Sequence, residues 1–376
     1  MLSPEFEILL VAVFTAVACA LVGSFLVLRR MSLVSDAISH AILPGIVVGF
    51  FIAQDFSSPL LLIVAGLSGL LTVFAIEMLE KSRLLKEDAA IGLVFPALFS
   101  LGVLLIARYA SQVHLDTDAV VLGEIAFVPF DRWVVMGHDL GPRTAWSLGG
   151  ILLLNVLFLA FFYKELKVST FDATFAAVLG FSPVLLHYLF MSMVALTVVG
   201  AFHAVGAILV VALMIAPPAA AFLLTRRLKA MILLSASLGV LSALLGYGLA
   251  YLLDVSIAGS MATMAGVLLG LTWLFAPEEG ILLRLRKRRE QRQQFFVDLL
   301  LVHVYRHQRQ GEVEELRIEA LPHHLSWSPD QVRAVVEQAL QEGYVRLEGS
   351  RQLVLTPKGE QRAVRVLQGL RNGGHR

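Results

Sequence analysis

An aspartate and a histidine stand four positions apart, Asp36 and His40, in the run SDAISHAILPG, which lies inside a long apolar stretch. Water is absent from a bilayer core, so an ionisable side chain there is costly and faces a cavity, a partner or a transported ion. Four residues of α-helix advance about 6 Å along the axis and about 40° around it. A carboxylate and an imidazole then share one face, at a spacing that can hold one divalent cation. The donor pair suits Mn2+, Fe2+ or Zn2+. A transport site must also release its ion, so two protein ligands completed by water fit that task better than a closed cage. The same two side chains would equally suit a structural pair, hydrogen-bonded to each other or to backbone in a packed bundle. Pro44 and Gly45 follow one turn later, a pair that can bend or break a helix where it lines a cavity.

The elements that must carry this pair follow from composition. The chain has 376 residues, 57% hydrophobic and 16% charged, whereas soluble domains are nearer half apolar and a quarter charged. Residues 1–277 are mostly apolar runs, 278–294 form a charged linker whose RKRREQRQQ could equally be a helix start, and 295–376 make a polar second domain. The net charge of +1 averages two unlike halves and points to no partner. The single cysteine, Cys19, excludes an internal disulfide and any cysteine-based metal site. Nine apolar segments have close to the roughly 20 residues that span a bilayer. They lie near 6–28, 33–53, 59–80, 89–108, 146–164, 184–201, 203–225, 230–252 and 256–276. The weakest division is at His203, between the sixth and seventh. The first run is too long for a signal-peptide core and reads as a retained span.

Basic residues set the orientation. Arg29 and Arg30, Lys81, Arg83 and Lys86, Lys164 and Lys167, Arg226, Arg227 and Lys229, and the basic run after span nine all follow odd-numbered spans. They fall on one side if the N-terminus is outside, which makes the C-terminal domain cytoplasmic. The outer segment 113–133 carries His114, Asp116, Asp118 and Glu124 and reads as a solvated acidic loop or a first attraction for cations. The inner segment STFDATFAAVLGFSP (169–183) offers Ser169 or Thr170 as a cap, small residues at Ala176, Ala177 and Gly180, and Pro183 to start the next span. A short helix with a small-residue face lets another protein approach closely, and it could equally lie on the membrane.

Three segments in order, SDAISHAILPG, FDATFAAVLGFSP and VGAILVVALMIAPPAAA, together with the outer VHLDTDAVVLGEIAFVPFDR, resemble the permease subunits of ABC importers for manganese, zinc and iron. The resemblance covers about 1–277. It implies a permease that pairs with a second copy or a related permease, docks a cytoplasmic ABC ATPase subunit, and receives metal from an extracytoplasmic metal-binding protein. It implies Asp36 and His40 as the residues that contact the metal. It implies Phe171, Asp172, Ala176 and Gly180 as part of the helix that couples to the ATPase. No permanently bound cofactor is expected; Mn2+, Zn2+ or Fe2+ is cargo. The chain has no phosphate-binding GxxxxGK[ST] motif, so it is expected not to be an enzyme and to rely on ATP hydrolysis by another polypeptide.

Other polar or special residues in the spans have plainer readings. His187 and His203 read as interfacial hydrogen-bonding histidines. Glu77 and Glu80 reach the cytoplasmic interface. Pro217 and Pro218 are expected to kink span seven and shape the pathway. Gly239, Gly246, Gly259, Gly266 and Gly270 favour close helix packing.

From about residue 295, an apolar-periodic helix, a helix opened by Ser328 and Pro329, and two short strands (344–348, 352–355) around Gly349 read as a winged helix-turn-helix. LTPKGEQRA is similar to the N-terminal domain of iron- and manganese-dependent metalloregulators. DNA binding is not expected, because the 329–342 helix sets Asp330, Glu337 and Glu342 against Arg333 alone. His303 and His307 share a face and His323 and His324 are adjacent, as partly solvated side chains or as a regulatory metal site.

The sequence therefore predicts an all-α polytopic membrane protein of about nine transmembrane helices with a small α+β winged-helix cytoplasmic domain. It belongs in a bacterial-type plasma (inner) membrane and passes a divalent transition metal. A permease for a metal chelate such as a siderophore, a secondary metal transporter and a membrane-tethered gene regulator are the rival classes.

Overall fold

A computed structural model describes residues 3–53, 59–109, 125–135, 138–277, 280–312, 314–349 and 352–373. His114, Asp116, Asp118 and Glu124 of the outer segment, and the side chain of His203, lie outside the described residues. Two compact units divide the chain, Met1–Gly280 and Ile281–Arg376.

Nine helices among the described residues of the first unit are long and apolar enough to cross a membrane. They are built from α1 (Pro4–Leu28), the pair α2 (Ser32–Ala41) and α3 (Leu43–Ala53), α4 (Pro59–Lys81), α5 (Glu87–Tyr109), α6 (Arg143–Phe171), α8 (Pro183–Leu224, two spans), α9 (Leu228–Leu253) and α10 (Ile257–Phe275). Between α5 and α6 lie a 3-10 helix (Ile125–Phe130) and the antiparallel strands β1 (Arg132–Val135) and β2 (His138–Pro142). The short helix α7 (Ala173–Val178) joins α6 to α8.

Helix α1 is the core. Val11, Ala16, Cys19, Val22, Phe25 and Leu26 are buried against α8, whose Phe190, Met191, Val194, Leu209, Leu213 and Met214 are buried in turn. The peripheral helices expose large apolar side chains, among them Ile63, Leu67, Leu104, Leu153, Phe161 and Leu233. A lipid-facing surface needs that pattern, since hydrocarbon solvates leucine as well as a protein core does. Serines and threonines inside the spans satisfy themselves by bonding one turn back, as Thr15 to the Val11 carbonyl and Ser24 to the Ala20 carbonyl. Ser235 of α9 also donates to the Ala20 carbonyl, tying the two helices.

Three local expectations differ from the structure. The break near spans six and seven is at Gly206, whose φ of 79° and ψ of 167° only glycine adopts without strain. Pro217 and Pro218 instead keep helical φ/ψ, so the helix is not broken there. The fifth span continues to Phe171, well past residue 164, with one non-helical residue at Phe162. Of the two readings of RKRREQRQQ, linker or helix start, the structure has the second: 281–294 is the first half of the helix α11 (Ile281–Gln310), because its basic residues are good helix formers.

The second unit holds α11, a 3-10 turn (Glu314–Leu316), α12 (Leu321–Leu325), α13 (Pro329–Gln341), the antiparallel pair β3 (Val345–Glu348) and β4 (Gln352–Leu355), and α14 (Pro357–Gly373). Its core joins Leu300, Leu301 and Val304 of α11 to Leu316, Leu321, Val336, Ala339, Val345, Leu353 and Ala363. The residues of LTPKGEQRA have structural duties. The Thr356 hydroxyl accepts from the Gly359 N–H and donates to the Gly343 carbonyl. A Cβ on Gly359 would stand 2.0 Å from the Tyr344 carbonyl oxygen, so glycine is required. Arg362 donates to Asp298 (2.6 Å) and to the Tyr344 hydroxyl (2.6 Å), closing α14 onto α11, and these partners raise the guanidinium's pKa.

Candidate functional site

Asp36 and His40 lie in the second and third turns of the span Ser32–Ala53. Their side chains share a face, with His40 Nε2 3.5 Å from Asp36 Oδ1 and both only half-buried. The rest of that helix explains how they are held. Val34, Ser35, Ala37, Ile38, Ser39 and Ala41 are buried, so the opposite face is fixed in the bundle and the acid–base pair is turned to open space. The Phe95 ring of α5 packs beside the imidazole, centroids 5.3 Å apart.

One turn on, the helix is interrupted at Ile42, between α2 and α3. Pro44 has no N–H to give the His40 carbonyl. The Ala41 carbonyl accepts instead from the Ser68 hydroxyl of α4 at 3.1 Å. A Cβ on Gly45 would stand 2.5 Å from Ser68 Cβ, so Gly45 permits this close approach of α3 to α4. Pro44 and Gly45 are both buried; they set the course of the helix that bears the pair without facing open space themselves. Pro217 is likewise buried inside α8.

The segment after α6 is arranged differently from the sequence expectation. Asp172, not Ser169 or Thr170, caps α7, with its carboxylate accepting from the Phe175 N–H at 2.8 Å. Gly180 ends the turn at φ 87°, donating to the Ala177 carbonyl, while Phe181 N–H reaches the Ala176 carbonyl. Ala176 is fully buried and contributes nothing to an outward face. The segment exposes the large apolar Phe171, Phe175, Val178 and Leu179 together with the small Ala173, Ala177 and Gly180.

Ser169 and Thr170 hold Arg29 at the end of α1. Its Nε donates to the Thr170 hydroxyl (3.1 Å), Nη2 to the Ser169 hydroxyl (3.3 Å), and Nη1 lies 3.4 Å from His187 Nδ1. The guanidinium stacks on the Phe190 ring, and burial lowers its pKa to about 10, still charged at neutral pH. His187 Nε2 then meets Glu77, which also accepts from Lys81 (3.0 Å) and from the Tyr188 hydroxyl (3.0 Å). One chain of polar contacts thus links the ends of α1, α4, α6 and α8 beside the α7 segment. Each member was visible in the sequence as a charged or polar span end, but nothing in the spacing joined them.

At the opposite end of α1, Glu7 is almost fully buried and is held by Arg132 through both guanidinium nitrogens, at 3.2 Å and 3.3 Å. Arg132 Nε also binds Asp139 (2.5 Å), and the backbone N–H of Gly141 donates to the same carboxylate. Those contacts, the Gly141 N–H first, hold the Asp139 pKa below the usual carboxylate range. Trp133 and Trp146 meet edge to face alongside, in the manner of residues at a membrane–water boundary.

A bundle of membrane-length helices whose acid–histidine pair is turned to open space, with an apolar helical turn projecting between two spans, has the form of a permease. The model of the ABC 3 transport family matches residues 5–276, and the chain belongs to that family. It is 47% identical over 357 residues to the zinc transport system membrane protein TroD of Treponema pallidum, covering 94% of this chain and 96% of that one. It is 46% identical over 281 residues to the manganese transport system membrane protein MntD of Bacillus subtilis, covering 75% and 95%. The chain superposes on PsaBC from Streptococcus pneumoniae, solved in complex with Fab, with a TM-score of 0.62 at 30% identity, covering 74% of this chain and 94% of that one. The TroD match reaches into the second unit, whereas the MntD and PsaBC matches span about the length of the first.

Proposed function

We propose that this chain is the membrane permease of an ATP-driven importer of divalent transition-metal cations, and that Asp36 and His40 contact the cation in passage. One observation carries the site. Within an apolar span, this carboxylate and imidazole share a face, 3.5 Å apart and half-exposed. An open pair offers one oxygen and one nitrogen and leaves the remaining positions to water, which lets an ion leave as well as enter. The similarity to zinc and manganese permeases supports such a cargo.

The exposed Phe171, Phe175, Val178 and Leu179 are the surface that docks on a cytoplasmic ABC ATPase. A contiguous apolar patch on a short, capped helix suits insertion into a partner's cleft. Asp172 and Gly180 hold its ends. Pro44, Gly45 and Pro217 shape the pathway by setting how closely the helices around the pair approach. The N-terminus faces outward, the Arg29–His187–Glu77 end is cytoplasmic, and an extracytoplasmic metal-binding protein delivers the ion to the other end. A second permease copy or a related chain completes the passage. The second unit is a winged-helix tail that acts in regulation or protein contact, since the exposed face of α13 carries Asp330 and Glu337 against Arg333.

The test is transport in proteoliposomes holding this chain, its ATPase and its binding protein. ATP-dependent accumulation of free Mn2+ or Zn2+ is expected. Uptake without the ATPase, or uptake of a chelate in place of the ion, would overturn the reading.

A further inference from the structure

The second unit gathers metal-ligating side chains that the transport reading does not use. His303 and His307 stand one turn apart on α11, with ring centroids 4.3 Å apart. The chain then turns at Gly311 (φ 76°) and runs back through the 3-10 turn, where Glu315 brings Oε2 to 2.9 Å from His307 Nδ1. One donor atom from each of His303, His307 and Glu315 lies within 4.8 Å of the other two. His324 of α12 lies over the same place, its ring 6.1 Å from His303 and its Nδ1 3.8 Å from Glu315 Oε2. Glu312 Oε2 is 2.5 Å from His307 Nδ1.

We propose that His303, His307 and Glu315 form a divalent transition-metal site in the cytoplasmic tail, with His324 placed to supply a fourth ligand. The donor set is two or three imidazoles and one carboxylate, which suits Zn2+ most tightly and Mn2+ or Fe2+ more weakly. Bound donors sit about 2.0–2.2 Å from such an ion, so the side chains must draw together around it. The backbone that carries them is already fixed. Leu316, next to Glu315, is buried in the tail core, as are Leu300, Leu301 and Val304 on the histidine helix. The His303 ring is partly buried, with Nε2 3.5 Å from the Glu315 carbonyl. Glu312, which holds His307 Nδ1 in the metal-free form, is released or becomes an outer partner when the ion binds.

A metal here would fasten three separate pieces of the tail, α11, the 3-10 turn and α12. Its occupancy would report the concentration of the imported ion, a role that rests on the transport reading; the binding itself does not.

The experiment uses the full-length chain in nanodiscs carrying Asp36→Ala and His40→Ala, so that the membrane pair contributes nothing. Titration with Co2+ is expected to give one tightly bound ion per chain with ligand-field bands of low coordination number, displaced by one equivalent of Zn2+. His303→Gln, His307→Gln and Glu315→Gln should each weaken binding by more than about tenfold, while His323→Gln should not. X-ray absorption on the unsubstituted tail with Zn2+ bound gives a second readout that needs no tail variant, and imidazole scattering is expected. Absence of binding, binding indifferent to all three variants, or an all-oxygen shell would overturn the proposal. None of these outcomes bears on Asp36 and His40, so the transport reading stands or falls separately.

Discussion

Gly23 of α1 and Met214 of α8 meet backbone to backbone: a Cβ on Gly23 would stand 2.1 Å from the Met214 carbonyl oxygen and 3.0 Å from Pro218 Cγ. Pro218 lies four residues beyond Met214 and has no N–H, so that carbonyl loses its helical donor. The bare α-carbon of Gly23 is what lets the two central helices close over it. Gly23→Ala is expected to cost about 1–3 kcal/mol through overpacking, read as a lower Tm of the detergent-solubilised protein. Gly92→Ala, where a Cβ meets nothing within 4 Å, should leave the Tm unchanged or slightly raised. Equal Tm values for the two variants would contradict the packing described.

The Arg29–His187–Glu77 contacts predict coupling between two residues that do not touch. Arg29→Gln and Glu77→Gln should each destabilise by about 1–3 kcal/mol, as the loss of a partly buried charged hydrogen bond does. Because both act on His187, the double variant should depart from additivity by more than about 0.5 kcal/mol. A double-mutant cycle on thermal unfolding measures this. Strict additivity would mean that the histidine joins nothing.

The α7 segment predicts which substitutions separate ATP hydrolysis from transport. Phe175→Asp and Val178→Asp place a charge on an exposed apolar face without touching the Asp172 cap or the Gly180 turn. Co-purification of the ATPase should fall by about tenfold or more, the effect of losing an apolar anchor of 1.4 kcal/mol or greater. Unchanged co-purification and unchanged uptake would remove this surface from the account.

The Arg132–Asp139 contact predicts an acid limit. Asp139 is held below its ordinary pKa, so the unfolded chain binds its proton first as pH falls. The contribution is therefore fully present above about pH 4, the ordinary aspartate value, and is lost as pH drops through the lowered native value. The Tm measured from neutral to strongly acid pH should fall more steeply for the parent chain than for Asp139→Asn in that acid window. Parallel curves would contradict it.

The spans were legible because burial in lipid demands long apolar runs, and nine such runs match the nine candidate spans among the described residues, most of them to within a few residues. The Asp36–His40 pair was legible for the same reason, since a charge in an apolar run stands out and helical spacing places it. What sequence could not show is pairing across helices. Nothing near Glu7 announces Arg132, more than a hundred residues away. Ser169 and Thr170 have the right type for a cap, yet Asp172 takes that role and frees both hydroxyls for Arg29. Pro217 and Pro218 read as a kink because proline breaks isolated helices, but packing holds α8 helical through them and the break falls to Gly206. Of the small residues at 169–182, Ala177 and Gly180 are exposed while Ala176 turns inward, a difference of facing that spacing in so short a helix does not show.

The central claim is that a metal ion passes by Asp36 and His40. It is tested most directly by ATP-dependent metal uptake in proteoliposomes with Asp36→Ala and His40→Ala. The account predicts that uptake falls by at least about tenfold in each, as expected when a metal ligand is lost. Assembly with the ATPase should be retained and the Tm little changed, since both side chains are half-exposed and the one ring contact of His40 described, to Phe95, lies at the edge of the pair. Uptake at the parent rate in both variants would contradict it.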